Sequence, residues 1–486
     1  MEGRMGAGMA SRTTLNAKNL EALGAGRLAE LLIEVSAGDA AMKRRLRLEL
    51  AGEQSPKEVA REVRKRLTTI ARSRSFVDWQ TRKALVNDLE TQRRAILDKV
   101  APEDPAEALD LMWRFTELAE SVFGRCDDSS GTVIEVFHEA CADLAALAAA
   151  AAPDPTTLAD RVFTAIQSNG YSQYDDLISQ LAPALGPTGL GHLKACVEEL
   201  SRAPISKPAE TDRRVIGYGS GGPIHADQVA QSGRDITVQL ALEAIADAQG
   251  DVDAFIAQKS QKARTVPAVA AEIAQRLLDA DRPEEAWTAI NAAATDRAGH
   301  IPFEWQETRL AVMEVLGMAE EAQAFRWTCF ETFLNPTHLR DHLRRLPDVE
   351  DIEAEERALA FVHDSPHFHE ALWFLVNWPA HERAADLVTT RASELDGDLY
   401  HLLVPAAEAL EAKYPLAATL IRRALIDFSL KTARSSRYGH AARHLLECQG
   451  LAGQIEDYGP FETHEAYRAR LMAEHGRKTS FWSRLD

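Results

Sequence analysis

The stretch Asp398–Phe428, DLYHLLVPAAEALEAKYPLAATLIRRALIDF, decides the fold. Leu399, Leu402, Leu403, Ala406, Ala407 and Leu410 recur at helical spacing and give a first helix one apolar face. Tyr414-Pro415 interrupts the pattern, because the residue before proline avoids helical torsions and proline suits the first turn of a new helix. Leu416, Leu420, Ile421, Ala424 and Leu425 resume it. Ala417 and Ala418 are small where two such helices would cross, so the backbones can approach closely. A helix pair of this kind cannot bury its apolar stripe alone and must stack on neighbours. The stretch therefore predicts an all-α chain built as a tetratricopeptide-like helical-repeat superhelix, with a helical domain before it.

Working outward, similar helix starts recur at Gly250–Phe255, Arg282–Trp287 and Gly317–Ala322. Ala254, Ala286 and Ala322 lie 32 and 36 residues apart, and Ala384 and Ala418 lie 34 apart. Spacings in this range match the roughly 34-residue tetratricopeptide unit, which places an alanine at the close contact early in its second helix. The rhythm is weak between Leu334 and Ser365.

Upstream, Ser55-Pro56, Asp104-Pro105 and Pro155 open further helices, and one long helix is predicted over Phe76–Leu97 with Trp79 on its inner face. Two more are predicted at Tyr174–Leu185 and Thr188–Arg202, and no convincing strand pair is visible. Between residues 203 and 235 prolines and glycines accumulate, as in a linker or crossover loop. The predicted organisation is a tail at 1–13, an N-terminal helical domain at 14–202, that linker at 203–235, and a helical-repeat domain at 236–486.

The formal net charge of −19 opposes wholesale attraction to nucleic acid or anionic membrane. Five cysteines lie far apart without a C-x-x-C pair, as suits free thiols in a reducing compartment. The first residues, MEGRMGAGMASRTT, lack the apolar core of a signal peptide. The longest apolar run, Leu144–Ala152, is far short of the roughly 20 residues that span a bilayer. The expectation is a cytoplasmic protein that does not enter membranes.

The segments LNAKNLEALGAGRLAELLIE, RLTTIARSRSFVDW and YRARLMAEHGRKTSFW resemble a bacterial family of all-helical proteins of unknown function. That resemblance spans nearly the whole chain, implies a helical-repeat fold, and supplies no catalytic residues. The last of these segments also resembles the C-terminal region of bacterial proteins that carry a SWIM-type zinc finger. The C-x-C and C-x-H pairs of that finger are absent, so no zinc module carries over.

Charge is most uneven over Lys43–Arg94, with fifteen Lys/Arg against seven Asp/Glu. Arg61, Arg64, Lys65, Arg72 and Arg74 could contact phosphates, with Trp79 as a stacking surface, or could pair with the acidic remainder of the chain. Trp287, Trp327 and Trp373 lie in the repeat region, where tryptophans pack helices together or anchor a bound peptide.

Gly217–Gly222 satisfies G-x-G-x-x-G, but Val215-Ile216 is a meagre strand and no βαβ pattern surrounds it, so it reads as linker. His363, His367 and His369 have metal-ligand spacing, yet HDSPHFHE also reads as a loop and helix start. The pairs His338/His342 and His440/His444 lack the glutamate of a zincin helix. Asp127–Gly131 lacks the closing glutamate of a calcium loop. No residue pattern asks for a cofactor or a resident metal. The sequence thus points to a non-enzymatic scaffold that binds a protein or peptide on its helical surface. The alternatives are a nucleic-acid-associated protein using the basic N-terminal helices, and, less favoured, a metal-dependent enzyme at His363/His367/His369.

Overall fold

The computed structural model of the chain describes residues 14–204, 214–219, 222–293 and 301–485. The tail expected at 1–13 lies outside them, as does part of the stretch 203–235. The fold is all-α and repeat-built, with one two-stranded hairpin as the sheet among the described residues. Two compact units divide it, Met1–Gln261 and Lys262–Asp486.

In the first unit the predicted starts are built as the residues require. Ser55 accepts a hydrogen bond from Glu58 N–H, Asp104 from Glu107 and Asp154 from Thr157, each just before a proline in the first helical turn. The helices Pro105–Thr116 and Thr132–Ala151 pack together around Trp113, Phe115 and Phe137, all fully buried. The two helices predicted over 174–202 run as one assigned span, Leu177–Arg202, broken at Gly186, whose φ of 55° and ψ of −174° no helix accommodates.

Two expectations fail here for local reasons. The long helix predicted from Phe76 begins only at Arg82. Asp78 accepts hydrogen bonds from the N–H groups of Gln80 and Thr81, making a turn, and Val77 bridges to Cys126 as isolated strand-like backbone. Trp79 is consequently 69% exposed rather than on an inner face. The absence of a strand pair is also corrected: Val215–Gly219 pairs antiparallel with Gly222–His225 and runs straight into the helix Ala226–Gln249, which packs on Leu177–Arg202. An antiparallel hairpin gives the glycine cluster no strand–loop–helix cradle for a dinucleotide.

The second unit is a succession of helix pairs. Pro267–Asp279 with Pro283–Asn291, Phe303–Val315 with Ala319–Phe333, Phe368–Asn377 with His381–Thr390, and Tyr400–Leu410 with Pro415–Lys431 are each joined by three or four residues. Helices contact the next element, and many the next but one, which is how a stack buries stripes that no single pair could hide. Of the alanines of the sequence rhythm, Ala286, Ala322, Ala384 and Ala418 are 0% exposed, whereas Ala254 is only partly buried and belongs to the first unit. The weak stretch corresponds to the short helix Pro336–Leu343 and the following Glu350–His363.

Candidate functional site

The helix Pro415–Lys431 is buried almost all round, as a helix without a polar face must be. Two adjacent arginines nevertheless sit inside it, Arg422 at 3% and Arg423 at 6% exposure. Neighbouring helical residues point about 100° apart, so the two guanidiniums serve different sides of the helix. The segment around Gly397 presses onto the same helix so closely that a Cβ there would lie 2.5 Å from Phe428 Cβ and collide with the Ala424 carbonyl oxygen. Two of the cavities beside this helix border Gly397.

Arg422 faces a cavity of about 340 Å³ between the helices Tyr400–Leu410, Pro415–Lys431 and Tyr438–Ala452. Its Nε donates to Glu447 at 2.8 Å and its Nη2 to Glu411 at 2.5 Å, so the buried charge is compensated. Burial holds His444 below its ordinary value, leaving a neutral ring that stands 2.9 Å from the same Glu447 carboxylate. Burial works against the charge on Glu447, but the hydrogen bonds from His444 and Arg422 outweigh it and keep the carboxyl ionised. Nearer the rim, Arg437 pairs with Asp398 at 2.9 Å and lies over the ring of Tyr400. Exposed Arg443 meets only His440 Nδ1, at 2.7 Å, and has no carboxylate partner among the described residues. Val404, Leu425 and Ala441 supply apolar wall. The cavity is suited to an acidic group with some apolar body attached.

Six of the fifteen cations of the basic stripe, Arg44, Arg61, Arg64, Arg66, Arg93 and Arg94, are held in ion pairs. Arg61 pairs with Glu58 at 2.5 Å, Arg64 with Glu107, and Arg66 with Asp88. Arg93 is gripped by Glu90, Glu139 and Asp143. Lys43, Arg45, Arg47, Lys57, Lys65, Arg72, Arg74 and Lys83 are exposed without a carboxylate partner among the described residues, and Trp79 lies in the same stretch.

The tryptophans divide. Trp287 is half-buried with Arg309 over its ring at 4.9 Å, and Trp327 packs on Phe330 and His342 while donating to Glu331. Trp373 is 47% exposed and is the one of the three that presents itself to solvent. The histidines His363, His367 and His369 do not converge: His363 meets Asp386 at 2.9 Å, His369 accepts the Asp396 N–H, and His367 is exposed.

The family described as one of unknown function (DUF6880) matches residues 10–484. The chain belongs to that family. The SWIM likeness of the tail is not shown by this match. No curated protein matches the chain. Among solved structures it is similar to a circular tandem repeat protein with novel repeat topology and enhanced subunit contact surfaces. The identity is 15%, covering 96% of this chain and 94% of that one, with a TM-score of 0.15. A superposition that poor carries no argument, and the repeat character of this family member rests on its own helix pairs. No helix among the described residues is long and apolar enough to cross a membrane.

Sequence reasoning missed Arg422 and Arg423, although two arginines flanked by Leu420-Ile421 and Leu425-Ile426 leave no polar face for them to occupy. It also missed a grouping in the first unit, where Asp160 and the Cys196 thiol both approach His192 Nε2, at 2.7 and 3.7 Å. His192 and Cys196 are one helical turn apart, but Asp160 arrives from another helix, which spacing alone does not reveal.

Proposed function

We propose that this family member is a non-enzymatic binding protein that engages an acidic segment of a protein or peptide at the cavity over Arg422, with the cytoplasm as its compartment. The observation that carries the reading is the charge arrangement. Glu411 and Glu447 are spent on the buried guanidinium, Glu408 is the other carboxylate on the lining, and Arg443 at the rim has no acid partner among the described residues. An incoming carboxylate would meet Arg443, with Arg437 sharing its charge between it and Asp398, while its apolar part lies against Val404 and Leu425. Exposed Trp373 offers an additional anchor along the same unit.

Selection of a random peptide library on the full chain tests this. Enrichment of Asp- and Glu-bearing peptides, lost on an Arg437→Glu/Arg443→Glu variant, is the expected result. A pool without acidic enrichment, or one indifferent to the double reversal, would refute it. A second reading, nucleic-acid contact, is favoured by the exposed cations of Lys43–Arg94 that no carboxylate pairs among the described residues, Lys65, Arg72 and Arg74 among them, with exposed Trp79 nearby. It requires binding at low salt that weakens steeply as salt rises.

A further inference from the structure

The helices Pro155–Ile166 and Leu177–Arg202 come close together at Gly189, where a Cβ would lie 2.8 Å from the Pro155 carbonyl oxygen. About a turn further along both, Asp160 meets His192, and Cys196 joins them from the next turn of the second helix. Asp160 Oδ1 lies 2.7 Å and Cys196 Sγ 3.7 Å from His192 Nε2. The three ligand atoms all lie within 4.8 Å of one another, the one such group of three among the described residues.

Both contacts fall on a single nitrogen, and that decides what the group can do. A cysteine nucleophile needs its thiol and its carboxylate on opposite nitrogens of the imidazole, so that one orients the ring while the other gives up its proton. That relay is impossible here. As an N–H, Nε2 donates to Asp160 and has nothing to accept the thiol proton with. As a bare nitrogen it accepts from the thiol and turns its lone pair on the carboxylate. No placement of one proton serves both contacts, whereas a cation between the three donors serves them all.

We infer that Asp160, His192 and Cys196 hold a divalent transition-metal ion, zinc being the one that suits a thiolate, an imidazole and a carboxylate together. Donors of these kinds stand roughly 3.3–3.6 Å apart in tetrahedral coordination. The imidazole and the sulfur are already near that spacing, and the Asp160 side chain, 65% exposed, has only to draw back by less than an ångström. The thiol releases its proton to solvent as the sulfur binds. Sulfur and nitrogen donors disfavour calcium and magnesium, which take oxygen ligands. Three protein ligands leave the fourth position to water, which reaches the half-exposed His192. The ion would tie two helices of the first unit together, and the site does not depend on the peptide-binding reading, which concerns the second unit.

The test is a cobalt titration of the full chain, reduced and freed of metal by a chelator, with cobalt standing in for zinc. A thiolate-to-cobalt charge-transfer band that saturates at one ion per chain and is bleached by zinc is the expected result. Cys196→Ala should abolish the band and Cys126→Ala should leave it, and both positions are only partly buried, so the fold tolerates either change. Asp160→Asn keeps an oxygen for the imidazole N–H, so a group that is only hydrogen-bonded would not feel it. As a metal ligand, its loss should weaken zinc binding at least about tenfold. Zinc should also slow alkylation of Cys196 several-fold and leave that of Cys126 unchanged, as mass spectrometry of the labelled peptides reads. Absence of saturable binding, cobalt taken up without the band, or a band that survives Cys196→Ala would overturn the inference. So would zinc affinity and Cys196 protection that Asp160→Asn leaves untouched, because the three donors would then not act together.

Discussion

The Arg422 network makes a prediction whose sign is unusual. Removing the arginine should cost less than removing its partners. In Arg422→Met, the apolar stem is kept and two carboxylates are released. Their side chains, Glu411 at 45% and Glu447 at 36% exposure, already reach water that can take up their charge. Replacing a buried ion pair by a similar apolar volume is often close to neutral, so a loss of about 1 kcal/mol or less is expected. In Glu411→Gln/Glu447→Gln the guanidinium, with 4% of its side chain exposed, keeps its charge and loses both compensating ones. A buried charge stripped of its partners costs about 3–5 kcal/mol, the lower part of that range applying because the amide oxygens still accept hydrogen bonds. With two units in the chain a global unfolding curve mixes transitions, so the assay is urea-dependent hydrogen exchange read at the amides of residues 417–430. If Arg422→Met opens this helix as readily as the double glutamine variant, the charge account of the cavity is wrong.

Four further outcomes follow from the same packing. Gly397→Ala should destabilise the second unit by about 2 kcal/mol or more, because the new Cβ meets helix backbone at Ala424, and thermal unfolding measures it. Ala418→Leu, at a 0% exposed helix contact, should cost about 1–3 kcal/mol by the same measurement. His338, His342, His369, His444 and His464 are all held by burial below their ordinary value of 6.5. The unfolded chain therefore takes up protons first, and urea midpoints should be flat above about pH 7.5 and fall progressively as pH drops through about 6.5. Burial pushes the Cys141, Cys329 and Cys448 thiols up to about 12, so a thiol reagent at pH 8 should label only Cys126 and Cys196 until denaturant is added.

What the sequence disclosed was whatever local chemistry enforces. Proline at the first turn and an acidic or hydroxyl cap place helix starts within a residue or two, and the alanines at 286, 322, 384 and 418 mark contacts that only a small side chain allows. Local competition hid the rest: the Asp78 turn pre-empts the first turns of a helix, and the 215–225 hairpin uses glycines that read equally well as linker. The candidate site was less visible because its charges are tertiary. Arg422 takes its carboxylates from residues 411 and 447, and Arg423 takes its aromatic neighbours from 458 and 467, positions no period connects.

The central claim is that the surface over Arg422 receives acidic ligands, and it is measured most directly by hydrogen exchange on the full chain with peptides added. One pool carries Asp and Glu and a matched pool carries Asn and Gln in their place. The acidic pool should slow exchange in residues 400–410 and 436–447 and the matched pool should not. Equal protection by both pools, or protection confined to other segments, would contradict it.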